Sequence, residues 1–428
     1  MNSRERIIAA INHKEPDRLP LDLGGFDFTG IHVSSLHMLE VALGLKKPSD
    51  PVKVIDIVQM LGEVDERLRQ TLQIDVISLR GQRTYFGFKN EKWKPWVFFD
   101  GTPLLVPEKF NTVPDKEGNI YQYPQGDTSV PPCVKMPKDG FYFDDVDRQK
   151  PIDESSLKVE DQIEEIKLLT DEELLYYEKE SKRLFEETNY AVVFPSGVSG
   201  TNLGDSFWIS GWSLKDPKGI RNQEEWYISL ITRKDFIKEV NAKMTEIGLE
   251  NLKLFHQAVG ERIQVIMISS CDFGAQNGLL YPKESYQELF KPFHKQVNDW
   301  IHKNTTWKTL IHSCGSVYDI IPDFIEAGFD ILNPVQISAA KMEPERLKGE
   351  FGDKIVFWGG GVNTQTTFPF GTPQEVESEV KQNINIFSKG GGFVFNTVHD
   401  IQARVPLENI LALFRAVSEA RGIKVPGL

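Results

Sequence analysis

Short apolar runs recur along the chain, each followed by a stretch whose apolar residues return every three to four positions. The runs fall at 18–23, 72–79, 190–194, 262–268, 307–311, 329–332, 354–358 and 392–395. Turn-bounded apolar runs of this length predict strands buried on both faces, as in a parallel sheet. The periodicity between them predicts helices near 32–43, 51–71, 158–169, 171–188, 217–231, 235–259, 283–303, 316–327, 343–350, 373–388 and 406–421. Ser3 can cap a first helix with Ile7, Ile8 and Ile11 on one face, and Glu15-Pro16-Asp17 stops it.

Eight strands alternating with helices predict an α/β chain, folded as one (β/α)8 TIM-type barrel domain over 1–428. A doubly wound open sheet is the rival, but no G-x-G-x-x-G follows any strand. Residues 80–150 interrupt the alternation. They are rich in Gly, Pro and rings (Tyr85, Phe86, Trp93, Trp96, Phe98, Tyr121, Tyr123), and Asp100-Gly101 and Glu117-Gly118-Asn119 are turn signals. We read this segment as an aromatic-rich β-hairpin insertion within the barrel domain.

Composition narrows the function classes. With 40% apolar and 26% charged residues the chain is globular. Lys and Arg number 49 against 62 Asp and Glu, a net −13 that disfavours nucleic acid as a partner. Three cysteines, at 133, 271 and 314, form no CxxC pair, so a reducing, cytoplasmic setting is expected. No uncharged apolar stretch approaches the length of a membrane span, and MNSRERIIAAINHKEPDRLP lacks the core of a signal peptide. A homo-oligomer is allowed, though nothing in the sequence sets the oligomeric state.

In a barrel the chemistry gathers at the C-terminal ends of the strands. The polar residues there are Asp22; Arg80; Ser196; Cys271-Asp272; His312-Ser313-Cys314; Asn333 with Gln336; Asn363 with Gln365; and Asn396 with His399-Asp400. His312 and Cys314 leave one strand two positions apart and are soft donors of the kind zinc prefers. A catalytic zinc takes three protein ligands and keeps one position open. His399 is the first choice for the third ligand and Cys271 the second. An H-x-C pair alone is a weak signal, because a lone Cys is most often a small buried hydrophobe. Asp272 and Gln276 sit in a Gly-containing loop, where a carboxylate can serve as general acid or base, anchor a substrate, or simply cap a turn. The 195–213 loop, with Ser196, Ser199, Asn202, Trp208 and Trp212, has neither a P-loop ending nor a G-x-S-x-G elbow.

Five segments carry a family resemblance: SRERIIAAINHKEPDRLPLDLGG (3–25), DFGAQNGLLYPKESYQELFKPFHK (272–295), IHSCGSVYDIIPDFIEAGFDILNPVQ (311–336), FGDKIVFWGGGVNTQ (351–365) and GGFVFNTVHDIQARVPLENILALF (391–414). They resemble the uroporphyrinogen decarboxylase superfamily, which implies a (β/α)8 barrel. Decarboxylases proper carry R-Q-A-G-R after the N-terminal proline, where this chain has Leu21-Asp22-Leu23-Gly24-Gly25. The other branch, zinc-dependent corrinoid-linked methyltransferases, carries H-x-C…C. His312 and Cys314 match its first two positions, and His399 stands where its last Cys falls. Enzymes that demethylate methoxylated aromatics are similar too.

The resemblance therefore implies a methyltransferase of O-demethylase type. It would move a methyl group from a small methylated substrate, such as a methoxylated aromatic, to a corrinoid carried by a partner protein. Zinc would sit on His312, Cys314 and His399. Asp272 and His312 would be catalytic, and Gln276, Asn333, Gln336, Asn363, Asn396 and Asp22 would bind substrate. The alternatives are a metal-free decarboxylase or lyase, with Asp272 or Asp22 stabilising a protonated intermediate, and a non-catalytic binding subunit.

Overall fold

The computed structural model describes residues 1–195 and 209–428. Seven strands form the central sheet: β1 Val76–Ser78, β2 Ala191–Phe194, β3 Val265–Ser269, β4 Lys308–His312, β5 Ile331–Asn333, β6 Val356–Trp358 and β7 Phe393–Val394. Each pairs in parallel with the next in chain order. Every residue of β2 and β3 is buried, as expected of Val- and Ile-rich strands covered on both faces.

The two ends of this curled sheet meet across the segment around Leu21. Phe395 N donates to Pro20 O (3.0 Å) and Asp22 N to Phe395 O (2.9 Å); on the other side Asp75 N donates to Leu21 O (2.8 Å). The first predicted strand is thus reduced to a bridge at Leu21. Pro20 has no N–H to extend the ladder, and Leu21 N turns to the Asp75 side chain (3.0 Å).

The covering helices follow the predicted periodicity. Lys234–Val259 buries Ile237, Val240, Leu252 and Phe255 along one face, and Pro373–Phe387 starts from a Thr372/Glu375 capping box. The helix expected near 283–303 is divided at Phe290 into Lys283–Leu289 and Lys291–Asn304, with Pro292 in the first turn of the second.

The helix expected over 51–71 is a correction. Val52–Asp56 is a strand, with Val52, Val54 and Asp56 buried in alternation, and only Glu66–Leu72 is helical, capped by Asp65. The spacing of Val54, Val58 and Leu61 fits a helix, but the run of alternation at its start decides for a strand. Val52–Asp56 joins Leu61–Gly62, Pro103–Val106 and Lys94–Val97 in a four-stranded sheet, so the sheet of the aromatic segment begins before residue 80. Ile120–Gln122, Val134–Met136 and Asp144–Asp145 form a further antiparallel sheet. Ser196, Ser199, Asn202 and Trp208 lie outside the described residues. Among the described residues no helix is long and apolar enough to cross a membrane.

Candidate functional site

Strand β4 ends on His312, and the chain leaves the barrel through Ser313 and Cys314. The loop after β3 clamps this exit. Ser313 Oγ accepts from Phe273 N (2.9 Å), and Asp272 Oδ1 accepts from Cys314 N (2.8 Å). The two loops cross at Gly274 and Gly315. A Cβ on Gly274 would lie 2.7 Å from Cys314 O, and Gly315 has φ +86°, so neither position accommodates a side chain.

His312, Cys314 and His399 present ligand atoms that all lie within 4.8 Å of one another. Cys314 Sγ is 3.5 Å from His312 Nε2. A tetrahedral zinc with sulfur at ~2.3 Å and nitrogen at ~2.0 Å sets an S···N edge of about 3.5 Å, so this pair is spaced for such an ion. Asn333 Nδ2 donates to Trp358 O (2.7 Å), which turns Oδ1 to His312 Nδ1 (2.6 Å). The amide thereby fixes the proton on Nδ1 and leaves the Nε2 lone pair for the cluster. His399 Nδ1 is held by Asp400 in the same way. Such outer partners orient metal-binding histidines. Cys271 is buried and falls outside this cluster of three.

The electrostatics agree with that geometry. Burial, helped by neighbouring His399, pushes His312 down to about 3, so its ring is neutral. For His399 burial pulls down, but the charge and hydrogen bond of Asp400 and the contact with Cys314 prevail, and it is raised well above its ordinary value. Burial raises the Cys314 thiol. Cys314 and His399 therefore hold protons that a bound cation would displace. Phe28 stacks on His312 with ring centroids 4.1 Å apart.

The other expected residues divide into two groups. Asp272 stands beside the cluster, its carboxyl raised by burial. Gln336 Oε1 accepts from Gly315 N (2.7 Å), and its Nε2 donates to Gln276 Oε1 (3.1 Å), so both glutamines brace the Cys314 loop. Asp22 accepts from Trp358 Nε1 (2.8 Å) and Gly25 N (2.9 Å), and burial raises it to about 6. Asn396 Nδ2 donates to Asp22 O (3.2 Å), while its buried Oδ1 has no partner. Asn363 lies apart from these contacts: its Oδ1 accepts from Gln365 N (2.9 Å) and Thr366 N (3.2 Å), closing a turn.

A polar cleft also opens at this end of the barrel, lined among others by Asp27, Asp56, Arg80, Tyr85, Asn90 and Pro195. Arg80 Nη1 donates to Asp27, whose other oxygen accepts from Tyr85 Oη (3.2 Å). Burial, then the charge of Asp27, push Asp56 up to about 7. Strand-end reasoning found Arg80 but missed Asp27, Asp56 and Tyr85. The available signal was Asp56, a carboxylate in phase with Val52 and Val54 on the buried face of a strand.

A family model described as Uroporphyrinogen decarboxylase (URO-D) matches residues 213–420. A curated relative, Uroporphyrinogen decarboxylase of Mannheimia succiniciproducens, is 29% identical over 153 residues. That match covers 34% of this chain and 38% of the relative, so the chain spans well under half of its length. The solved structure of a methyltransferase from Methanosarcina mazei superposes with a TM-score of 0.54 at 15% identity, covering 98% of this chain and 99% of that one, which shows a shared fold.

Proposed function

Since the chain belongs to the uroporphyrinogen decarboxylase superfamily, matched over residues 213–420, we propose that it is a methyltransferase that takes a methyl group from a small methylated substrate and delivers it to the corrinoid of a separate protein. The observation that carries this reading is the His312–Cys314–His399 cluster, with both histidines oriented from behind by Asn333 and Asp400. Zinc bound there would act as a Lewis acid on the heteroatom that loses its methyl group. His312 offers Nε2 without a competing proton. Asp272 holds the Cys314 backbone in place, and its raised carboxyl can supply a proton to the departing heteroatom. The shared fold with the Methanosarcina mazei methyltransferase is in keeping with this reading.

Elemental analysis and a methyl-transfer screen test it. About one zinc per chain is expected, with methylation of cob(I)alamin from at least one methoxylated aromatic, methylamine or methylthiol. A reconstituted protein that takes up no zinc overturns the metal assignment. The buried, elevated carboxyl of Asp22 favours a second reading, a metal-free decarboxylase or lyase. Cys314→Ala separates the two: it abolishes zinc-dependent methyl transfer and leaves a metal-free reaction intact.

A further inference from the structure

Arg80 enters the cleft beside the cluster from the C-terminal end of β1 with more donors than partners. Among the described residues its only side-chain hydrogen bond runs from Nη1 to Asp27. Tyr85 occupies the other oxygen of Asp27 and fixes that carboxylate in place. The side chain of Arg80 is 26% exposed, and it lines the cleft. With Nη1 taken, Nε and Nη2 remain, and these two form the side-on fork that matches a carboxylate with two parallel bonds.

The surroundings suit an anionic visitor. The carboxylate of Asp27 is already paired with Arg80, and that of Asp400 with His399. Asp56 accepts from Gln59 N (2.7 Å) and is held towards its neutral form by burial. Asn90 also lines this cleft. Asn90 Nδ2 donates to Ile55 O (3.0 Å), yet its buried Oδ1 has no partner. A guanidinium whose Nε and Nη2 have no partner among the described residues, lining a cleft, offers two donors to a ligand with a matching pair of acceptors. The cleft lies near the cluster, since Asp27 is followed directly by Phe28, whose ring stacks on His312.

We propose that this cleft is a carboxylate-binding subsite of the active site, in which the Nε–Nη2 fork of Arg80 takes the acid group of the substrate, so that the methyl donor is a small carboxylic acid. Asp27 is the positioning residue that turns the fork outward. Naming the ligand as methyl donor rests on the methyltransferase reading; the subsite itself does not.

The test is equilibrium binding of 4-methoxybenzoate and of its neutral counterpart 4-methoxybenzamide, followed by calorimetry on the full chain. Wild type is expected to bind the acid at least about tenfold more tightly than the amide. Arg80→Met abolishes that preference, with the acid falling to about the affinity of the amide, and a far-UV circular dichroism spectrum matching wild type certifies the fold of the variant. If Arg80→Met fails to fold, Arg80→Lys carries the test. It keeps the charge but lacks the fork, and affinity for the acid must fall towards that of the amide. Equal binding of acid and amide by wild type, a preference that survives in the variants, or no binding of the acid overturns the proposal. Arg80-dependent acid binding without methyl transfer would leave the subsite standing and remove the methyltransferase reading. Methyl transfer from neutral donors alone, indifferent to Arg80, would do the reverse.

Discussion

Asn333 does for His312 what a lone strand-end histidine could not do for itself: its amide, fixed by Trp358 O, dictates which ring nitrogen is bare. Asn333→Leu removes the acceptor at Nδ1, and zinc affinity should fall by about 10–100-fold in a chelator competition. Cys314→Ala, which deletes a ligand, should leave a chain with no stoichiometric zinc. A second residue-scale expectation concerns pH. Asp22 is 1% exposed and raised to about 6, so the folded chain binds its proton more tightly than the unfolded chain does. The stability this group adds is full below about pH 4 and is lost as pH rises through about 6. Wild type should therefore lose about 2 kcal/mol relative to Asp22→Asn between pH 4 and pH 7, read from urea unfolding of both. Asparagine sacrifices one acceptor at every pH, so the slope of the difference is the measurement, and a flat difference refutes the assignment. His312, Cys314 and His399 were legible because strand ends in a barrel converge whatever lies between them. Asp27 and Tyr85 were not, because Asp27 meets Arg80 and Tyr85 across 53 and 58 positions through contacts that no local pattern encodes.

At the scale of elements, the site depends on two loops crossing where neither can carry a side chain. Gly315 combines φ +86° with a built Cβ that would lie 2.8 Å from Ala275 N. Gly315→Ala should cost at least ~2 kcal/mol, from the left-handed backbone and the forced separation. It should also weaken zinc binding by moving Cys314 away from Asp272, a joint loss that unfolding and metal titration together detect. An alanine that lowered stability but left metal affinity intact would show that the crossing is only structural. The seven barrel strands were readable because parallel strands buried on both faces are continuous apolar runs. Val52–Asp56 reads as helix from sequence because its short alternation, buried on one face and half-buried on the other, sits inside a longer stretch that also fits a helical period. The bridge at Leu21 was overestimated as a strand because apolar content does not register the donor missing at Pro20.

At the scale of the molecule, the barrel is fastened at the end opposite the site. Asp75, just before β1, is fully buried. It accepts from Arg6 Nη1 (2.6 Å), from Arg421 Nη2 (2.9 Å) and from Leu21 N (3.0 Å). Arg6 belongs to the first helix, Ser3–Ile11, and Arg421 follows the last, Leu407–Ala420, so one carboxylate ties both ends of the sequence to the bridge that closes the ring. Arg421 adds bonds to Leu19 O (3.0 Å), Leu72 O (2.8 Å) and Gln73 O (2.6 Å). Removing the charge of Asp75 leaves the buried guanidinium of Arg421 without a counter-ion and Arg6 with Asp17 alone (2.7 Å), and breaking a buried pair in this way costs about 3–5 kcal/mol. An exposed pair provides the contrast. Lys295 and Asp299 are 2.8 Å apart but about half exposed, and such pairs contribute less than about 1 kcal/mol. Asp75→Asn should therefore shift the urea midpoint strongly, and Asp299→Asn hardly at all. Because Asp75 sits at the N-terminal end of its strand and the metal cluster at the C-terminal ends, the Asp75→Asn chain should still bind zinc with wild-type affinity wherever it remains folded. Loss of metal in the folded variant would mean that closing the ring at Leu21 also sets the spacing of His312, Cys314 and His399.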